Sequence, residues 1–334
     1  MLSSPLRIGV AGVGHFGRYH ALKVAASSRA DLVGIFDPDA NRAEAVSQEI
    51  GAPPVEWARL LELSDALVIA APADVHHALT ATALRAGKHV LVEKPVAATL
   101  PQADELVALA SERRLVLQVG HLERFSAAFA AIEGRVGAPL YIEATRIAPF
   151  QQRGTDVSVI LDLMIHDLDL VLSLVASEID SVDAVGAAVS SEHADIANAR
   201  IRFANGAVAT ITASRVSLRT ERRMRLFAHD AYLAVDFSKR RLTVIARDKG
   251  TPVPGVTGFG MVEESWQDHD SLAAEHAAFV ASVLDGAPVV VDAATGRRAL
   301  AAALMVADSI AAARTRMIAS GLIENAQNGS SRSI

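Results

Sequence analysis

The feature that most constrains this chain is a glycine-rich turn set between an apolar run and an amphipathic one. Leu6–Val13, LRIGVAGV, reads as a short buried strand. It runs into Gly12-Val13-Gly14-His15-Phe16-Gly17, after which Tyr19–Ala26 reads as a helix. A second strand, Asp31–Phe36, ends at Asp37, which stands 20 residues after Gly17. Each part has a mechanical reason. Gly12 permits the tight turn, Gly14 lets backbone approach a pyrophosphate, and Gly17 lets helix and strand pack closely. The helix N-terminus, with His15 and Phe16 in its first turn, would offer unpaired N–H groups to phosphate. Asp37 would accept from ribose hydroxyls and repel a 2′-phosphate, so the expected cofactor is NAD. Arg42 is the nearby cation that could soften that preference.

The strand and helix alternation continues. Asp65–Ala71 reads as a strand, Val75–Ala86 as a helix stopped at Gly87, and His89–Val92 as a strand running into Glu93-Lys94-Pro95. Thr99–Arg113 reads as a helix, with Pro101 tolerated in its first turn, and Leu115–Gly120 as another strand. This pattern predicts a doubly wound parallel sheet with right-handed crossovers. Ligands of such sheets collect beyond the carboxyl ends of the strands. Gly12–Gly17, Asp37, Ala71-Pro72 through His76, Glu93–Pro95 and Gly120–Arg124 all lie at such ends.

After Arg124 the pattern changes. Leu140–Arg146 reads as a strand, and from Ile179 strands dominate: Ala197–Phe203 and Ala207–Ser214 flank the Asn205-Gly206 turn, and Arg222–Ala228, Ala231–Phe237 and Arg241–Ala246 follow. Ser271–Leu284 and Ala293–Ala319 read as helices, and Asn325–Ile334 as a frayed tail. The expected fold class is α/β: a Rossmann domain over 1–121, then an α+β domain with a mostly antiparallel sheet over 122–334.

Composition narrows the function classes. The net charge is −6, which disfavours a nucleic-acid or polybasic membrane partner. No stretch reaches the roughly 18 uncharged residues of a membrane span, and the N-terminus reads as carrying no secretory signal. The chain has no cysteine, which excludes disulfide and thiol chemistry and disfavours zinc; a reducing cytoplasm is the expected compartment. His20, His77, His89, His193, His229, His269 and His276 have no ligand spacing, and His76-His77 are adjacent, so no metal is expected. Trp57 and Trp266 read as packing residues. Arg215, Arg219, Arg222, Arg223 and Arg225 read as a solvated or subunit-contact face.

The second chemically loaded stretch is Val159–Leu174, VILDLMIHDLDLVLSL. As a helix it is apolar nearly all round, and such a helix is buried. Asp162, His166, Asp169 and Ser173 recur at i, i+4, i+7 and i+11 and fall on one face, with Asp167 well outside it. A polar stripe on a buried helix lines a wet cleft, pairs with itself or meets a ligand, because an unpaired buried charge is costly.

Glu93-Lys94-Pro95 after a strand, and an Asp162-x-x-x-His166 helix opening a sheet-containing domain, resemble the Gfo/Idh/MocA family of oxidoreductases over nearly the whole chain. The resemblance implies that Lys94, Asp162 and His166 form the catalytic constellation beside the nicotinamide. It implies that Ala71, Pro72, His76, Glu93 and Pro95 lie near the cofactor. Within the family, Gly120-His121-Leu122-Glu123-Arg124-Phe125 and Arg146 through Arg153 resemble nucleotide-sugar dehydrogenases. Many of those carry Arg-Phe-Asn-Pro where this chain has Arg124-Phe125-Ser126-Ala127.

The implied reaction is NAD-dependent oxidation of a sugar ring hydroxyl, expected at C3 of UDP-N-acetylglucosamine. Another sugar, an inositol or the corresponding uronate is the alternative, and a non-catalytic NAD-binding regulator a further one. Oxidising an alcohol needs a base for the hydroxyl proton. His166, as an imidazole, can take the proton near neutral pH. Lys94 beside an oxidised nicotinamide would lose ammonium character through burial and like charge. Either could be the base, with Asp162 influencing His166 or anchoring a hydroxyl. His121, Arg124, Arg146, Arg153 and Asp169 are the expected substrate contacts, the arginines matching a diphosphate. A homodimer or homotetramer and a functional link to an aminotransferase are also implied.

Overall fold

The computed structural model describes residues 4–151 and 157–323. The chain divides into two compact units, one formed by residues 1–130 and 268–300, the other by 131–267 and 301–334.

The first unit begins with β1 (Leu6–Ala11), α1 (His15–Ala25), β2 (Ala30–Phe36), α2 (Ala40–Ile50), α3 (Trp57–Leu63), β3 (Ala66–Ile69), α4 (His76–Arg85), β4 (His89–Glu93), α5 (Leu100–Arg113), β5 (Leu117–Gly120) and the single turn α6 (Ala127–Ala130). The five strands form one parallel sheet in the order β2-β1-β3-β4-β5. Central strands of a sheet covered on both faces are continuously apolar. β3, ALVI, is buried at every position, and Val90, Leu91 and Val92 of β4 are fully buried.

The local signals have visible causes. The Asp39 carboxylate caps α2 by accepting from the N–H groups of Asn41 and Arg42, and the helix ends at left-handed Gly51. Thr99 and Gln102 form a capping box at the start of α5, beside Pro101. β1 stops at Ala11, two residues before the expected end, because Gly12 turns the chain at φ +81°. The sequence reading places no element between Asp37 and Asp65, yet α2 and α3 fill that crossover.

The second unit contains β6 (Tyr141–Ile147), α7 (Ile165–Leu174), β7 (Ile179–Ala187), β8 (Ile196–Phe203), β9 (Val208–Ser214), β10 (Glu221–Phe227), β11 (Ala231–Asp236), β12 (Arg241–Arg247), β13 (Thr251–Pro252) and β14 (Phe259–Ser265). These nine strands form one sheet in the order β13-β14-β12-β11-β10-β6-β9-β8-β7. Every pairing is antiparallel except β6 with β9. Side chains alternate across a strand. Thus Ala197, Ala199, Ile201 and Phe203 of β8 join Ala209, Ile211 and Ala213 of β9 on the buried face, while Arg200 and Arg202 point outward. Apolar residues of α7, among them Leu168, Leu170 and Val171, are fully buried.

α8 (Ser271–Asp285) returns to the first unit, and α9 (Ala293–Ala319) begins there and continues into the second. This differs from a single crossing near residue 121. Two surface ion pairs tether α8 to the first unit, Lys23 with Asp270 and Arg29 with Asp285, and His276 of α8 meets His20 of α1. Among the described residues, no helix is long and apolar enough to cross a membrane.

Candidate active site

In the first unit the expected residues gather at the carboxyl edge of the parallel sheet. The glycine turn is built as its spacing implies. A Cβ on Gly12 would lie 2.6 Å from Ala71 backbone, and one on Gly17 would lie 1.7 Å from the Gly12 carbonyl oxygen. Gly14, by contrast, would meet nothing within 4 Å. It is the N-cap of α1 and makes no side-chain cap, and the first turn holds no acid. The first N–H groups of α1 therefore face an open, electropositive cradle, which fits a diphosphate. His15 and Phe16 are exposed in that turn.

Asp37 stands at the end of β2 with its side chain only 3% exposed. Oδ2 accepts from Val13 N–H at 2.9 Å and Oδ1 from Asp39 N–H at 3.0 Å. The Arg42 guanidinium donates to both oxygens, at 3.1 and 3.3 Å. Asp37 therefore ties the glycine turn to β2, and a ribose would compete with Arg42 for its outer lone pairs.

Ala71 and Pro72 follow β3, and Glu93-Lys94-Pro95 ends β4 with a cis Lys94–Pro95 bond. His76, buried at the start of α4, spans the two: Nδ1 lies 2.8 Å from the Pro95 carbonyl oxygen and Nε2 2.8 Å from that of Ala71. It is a strut between the loops that follow β3 and β4. His121 follows β5 and is buried, and Arg124 lies three residues on, its guanidinium 5.0 Å from the Phe129 ring centroid.

In the second unit the striped helix differs from a uniform α-helix. Its first turn, Ile160–Met164, is a π-helix, and α7 follows directly. The wider turn changes the phase between Asp162 and His166 from the regular 3.6-residue repeat. Such insertions are frequent where a helix carries function. Asp162 and His166 are half-buried and Asp169 is fully buried. Ser173 is exposed and donates to the Leu170 carbonyl, so it leaves the stripe.

Arg146, expected at a substrate diphosphate, lies on the buried face of β6 with Ile142 and Ala144. Its Nε and Nη2 donate to Asp167 at 2.7 and 3.1 Å, a bidentate pair with both side chains 4% exposed. The strand alternation and the off-stripe Asp167 were the signals for this pairing. Arg215 likewise leaves the solvated basic face. It is buried, donates to Asp195 at 2.8 Å and to the Val157 carbonyl at 2.8 Å, and so anchors the segment that leads into the π-turn. Arg219, Arg223 and Arg225 do carry surface ion pairs. Arg153 lies outside the described residues.

One group escapes the sequence reading. His20, Glu93 and Glu275 bring ligand-type atoms within 4.8 Å of one another inside the first unit. His20 and Glu275 are 255 residues apart, which hides the cluster from any local motif.

Residues 6–121 match the profile of an oxidoreductase family with an NAD-binding Rossmann fold, and residues 127–234 match the Gfo/Idh/MocA C-terminal domain. The chain belongs to the Gfo/Idh/MocA family. It is therefore an oxidoreductase, and its first unit is an NAD-binding domain. Among members of this family, the chain is 44% identical to the UDP-N-acetylglucosamine 3-dehydrogenase of Acidithiobacillus ferrooxidans, over 90% of this chain and 96% of that one. A solved structure under the same name and from the same organism has a TM-score of 0.88 at 43% identity, covering 93% of this chain and 99% of that one. The scyllo-inositol 2-dehydrogenase of Bacillus subtilis is 31% identical over 64% of this chain and 68% of that one.

Proposed function

We propose that this Gfo/Idh/MocA oxidoreductase oxidises the C3 hydroxyl of UDP-N-acetylglucosamine to the 3-keto sugar nucleotide. The observation that carries the reading is the 44% identity, spanning nearly both chains, to an enzyme of that name. Inositol dehydrogenases match at lower identity, 26% where they span nearly the whole chain, which makes a free polyol the second reading.

When bound, NAD supplies the acceptor for the C3 hydride. The residues that would hold it are the Gly12–Gly17 cradle, Asp37, Ala71-Pro72 with its His76 strut, and Glu93–Pro95. Lys94 and His166 are assigned to the hydroxyl proton, one as base and the other as hydrogen-bond partner of the developing oxyanion. Asp162 sets the charge state of His166 or holds a neighbouring hydroxyl. His121, Arg124, Arg153 and Asp169 are assigned to the substrate. Arg146 is reassigned from the diphosphate to positioning α7 through Asp167.

The apolar surface of Val185 on β7, Ile196 on β8 and Val189 between them, all exposed, supports a homodimer or homotetramer. The product ketone suits an aminotransferase in the same compartment, for which we assign the cytoplasm and diamino-sugar lipid A synthesis.

The test offers UDP-N-acetylglucosamine, its uronate, glucose and myo-inositol in turn, with NAD and hydroxylamine to trap the ketone. NADH formation with UDP-N-acetylglucosamine is the expected result. Turnover of inositol or glucose but neither UDP-sugar would refute the nucleotide-sugar reading. A preference for the uronate would move the enzyme to a different pathway.

A further inference from the structure

Directly behind the Glu93-Lys94-Pro95 turn lies a polar cluster drawn from four elements of the first unit. His20 of α1 is fully buried. Its Nε2 lies 2.9 Å from Glu93 Oε1, and its Nδ1 lies 2.9 Å from His276 Nε2 of α8. Glu93 Oε2 accepts the Lys94 backbone N–H at 3.3 Å. Glu275, the neighbour of His276, is fully buried, and neither carboxyl oxygen finds a hydrogen-bond partner among the described residues. The Gln118 amide of β5 donates to the Glu275 backbone carbonyl at 3.2 Å, fixing this turn of α8 against the sheet.

Two carboxyl groups and two imidazoles in one dry pocket cannot all be charged. A carboxylate only accepts, so His20 Nε2 carries its proton toward Glu93. Burial, then His20 and Lys23, push His276 down to about 3, against the weaker pull of Asp270, so its ring is neutral. Burial raises Glu93 as well, but the His20 hydrogen bond and the nearby His20, Lys94 and His76 outweigh it, and the net direction is downward. Burial and the charge of Glu93 both drive Glu275 well above the carboxylate range. The titratable groups facing the pair are thus His20 and Lys23 from α1, His76 from α4, Lys94 from the end of β4, and Asp270 and His276 from α8 and its cap.

We propose that His20, backed by His276, keeps Glu93 as the single negative charge behind the Lys94 turn while Glu275 remains a neutral acid, and that this charge sets the protonation of Lys94 in the reaction. His20 and His276 are positioning residues: they act through Glu93. The proposal rests on the reading that Lys94 takes part in proton transfer. Its physical content is a counter-charge. A buried carboxylate favours ammonium on Lys94. Removing the carboxylate destabilises the ammonium, so Lys94 becomes neutral at lower pH.

The same three ligand-type groups could hold a divalent cation, but both His20 nitrogens are already engaged, by Glu93 and by His276. A cation would also keep both carboxyls ionised, which separates the two cases experimentally.

The test is a pH profile of kcat and of the KM for NAD on the full-length enzyme oxidising UDP-N-acetylglucosamine. Lys94→Ala comes first: loss of the acidic limb assigns that limb to Lys94, and an unmoved limb refutes the catalytic reading itself. With the limb so assigned, Glu93→Gln and His20→Ala should each move it to lower pH by about one unit. His20→Ala should leave the KM for NAD within about twofold, as expected for a change confined to the chemical step. His20→Gln, which restores an N–H donor near the Nε2 position, should return the limb toward wild type. If His20→Ala fails to fold, the near-isosteric Glu93→Gln carries the same test. A limb unmoved in Glu93→Gln overturns the proposal and leaves Lys94 in catalysis. Independently of activity, the infrared difference between wild type and Glu275→Gln should contain the carbonyl stretch of a protonated carboxyl. A carboxylate band in its place, or a stoichiometric divalent metal in the purified protein, would overturn the neutral-acid assignment.

Discussion

The Arg146–Asp167 pair separates a structural arginine from a phosphate-gripping one. The perturbation is Asp167→Ala, with Arg146→Ala and the double variant completing a cycle. Two hydrogen bonds of 2.7 and 3.1 Å join side chains that are each 4% exposed. At a charge separation of about 4 Å and an effective dielectric near 20, the attraction is about 4 kcal/mol. Removing one partner of a buried pair typically costs about 3–5 kcal/mol. Asp167→Ala should therefore lose about that much stability in urea unfolding, read from the midpoint at constant slope. The pair joins β6 to α7, so the loss should be accompanied by a fall in kcat as the π-turn bearing Asp162 shifts. Replacing both, as Arg146→Met with Asp167→Leu, should recover most of the stability, because an apolar pair of similar volume avoids the desolvation cost. Single variants within about 1 kcal/mol of wild type, together with an Arg146→Ala enzyme impaired only in KM for the UDP-sugar, would refute this reasoning and return Arg146 to the diphosphate.

Lys94→Ala and His166→Ala should each lower kcat by roughly 10²–10⁴-fold while NADH binding, followed by fluorescence, is retained; near-normal turnover in both would make the polar stripe structural. The wild-type enzyme should prefer NAD to NADP, and Asp37→Ser, by releasing Arg42 to meet a 2′-phosphate, should erode the ratio of kcat/KM values by about 10–100-fold as a like-charge penalty of a few kcal/mol is removed. Burial raises the Asp195 carboxyl, but the N–H groups of Ser190 and Val189, with Arg215 and Ser191, more than offset this and hold it well below the usual carboxylate range. A depressed pKa contributes stability above the unfolded value of about 4 that is lost as pH falls toward the folded value. Asp195→Asn should thus be less stable than wild type at pH 7, and the gap in urea midpoint should close in acid; a constant gap from pH 7 to pH 2 would refute the assignment.

The sequence made the first unit legible because its signals are local. Gly12, Gly14 and Gly17 each occupy a position where a side chain would collide with backbone or would fill the open cradle. The apolar runs of β3 and β4 identify a sheet covered on both faces. Signals that need the fold were missed. Arg146 reads as a diphosphate contact or a solvated arginine until β6 is known to turn positions 142, 144 and 146 to one face. The π-turn at Ile160–Met164 has no counterpart in a 3.6-residue count. His20, Glu275 and His276 show no ligand spacing, because their relation is created when α8 packs on α1. Helix α2 was missed because it is polar overall and buries only Ala43 and Val46, and α3 because it is only seven residues long, in a crossover where Gly51, Pro53 and Pro54 dominate.

The return of residues 268–300 to the first unit has a consequence for biogenesis. At a ribosomal pace of roughly 5–20 residues per second, the five parallel strands are all synthesised well before α8 exists. Until then His20 and Glu93 lack the helix that covers them, and Val119 lacks the Val291 carbonyl that accepts its N–H at 2.9 Å. The nucleotide fold is therefore closed last, by a late segment, after the second sheet has been made. An excised piece ending at residue 130 would expose apolar surface normally shielded by Phe279 and Val280, both in the same core cluster as Val10 and Leu91. Such a fragment should aggregate or need chaperones, whereas a permuted chain that places 268–300 directly after residue 130 should fold as a unit by itself.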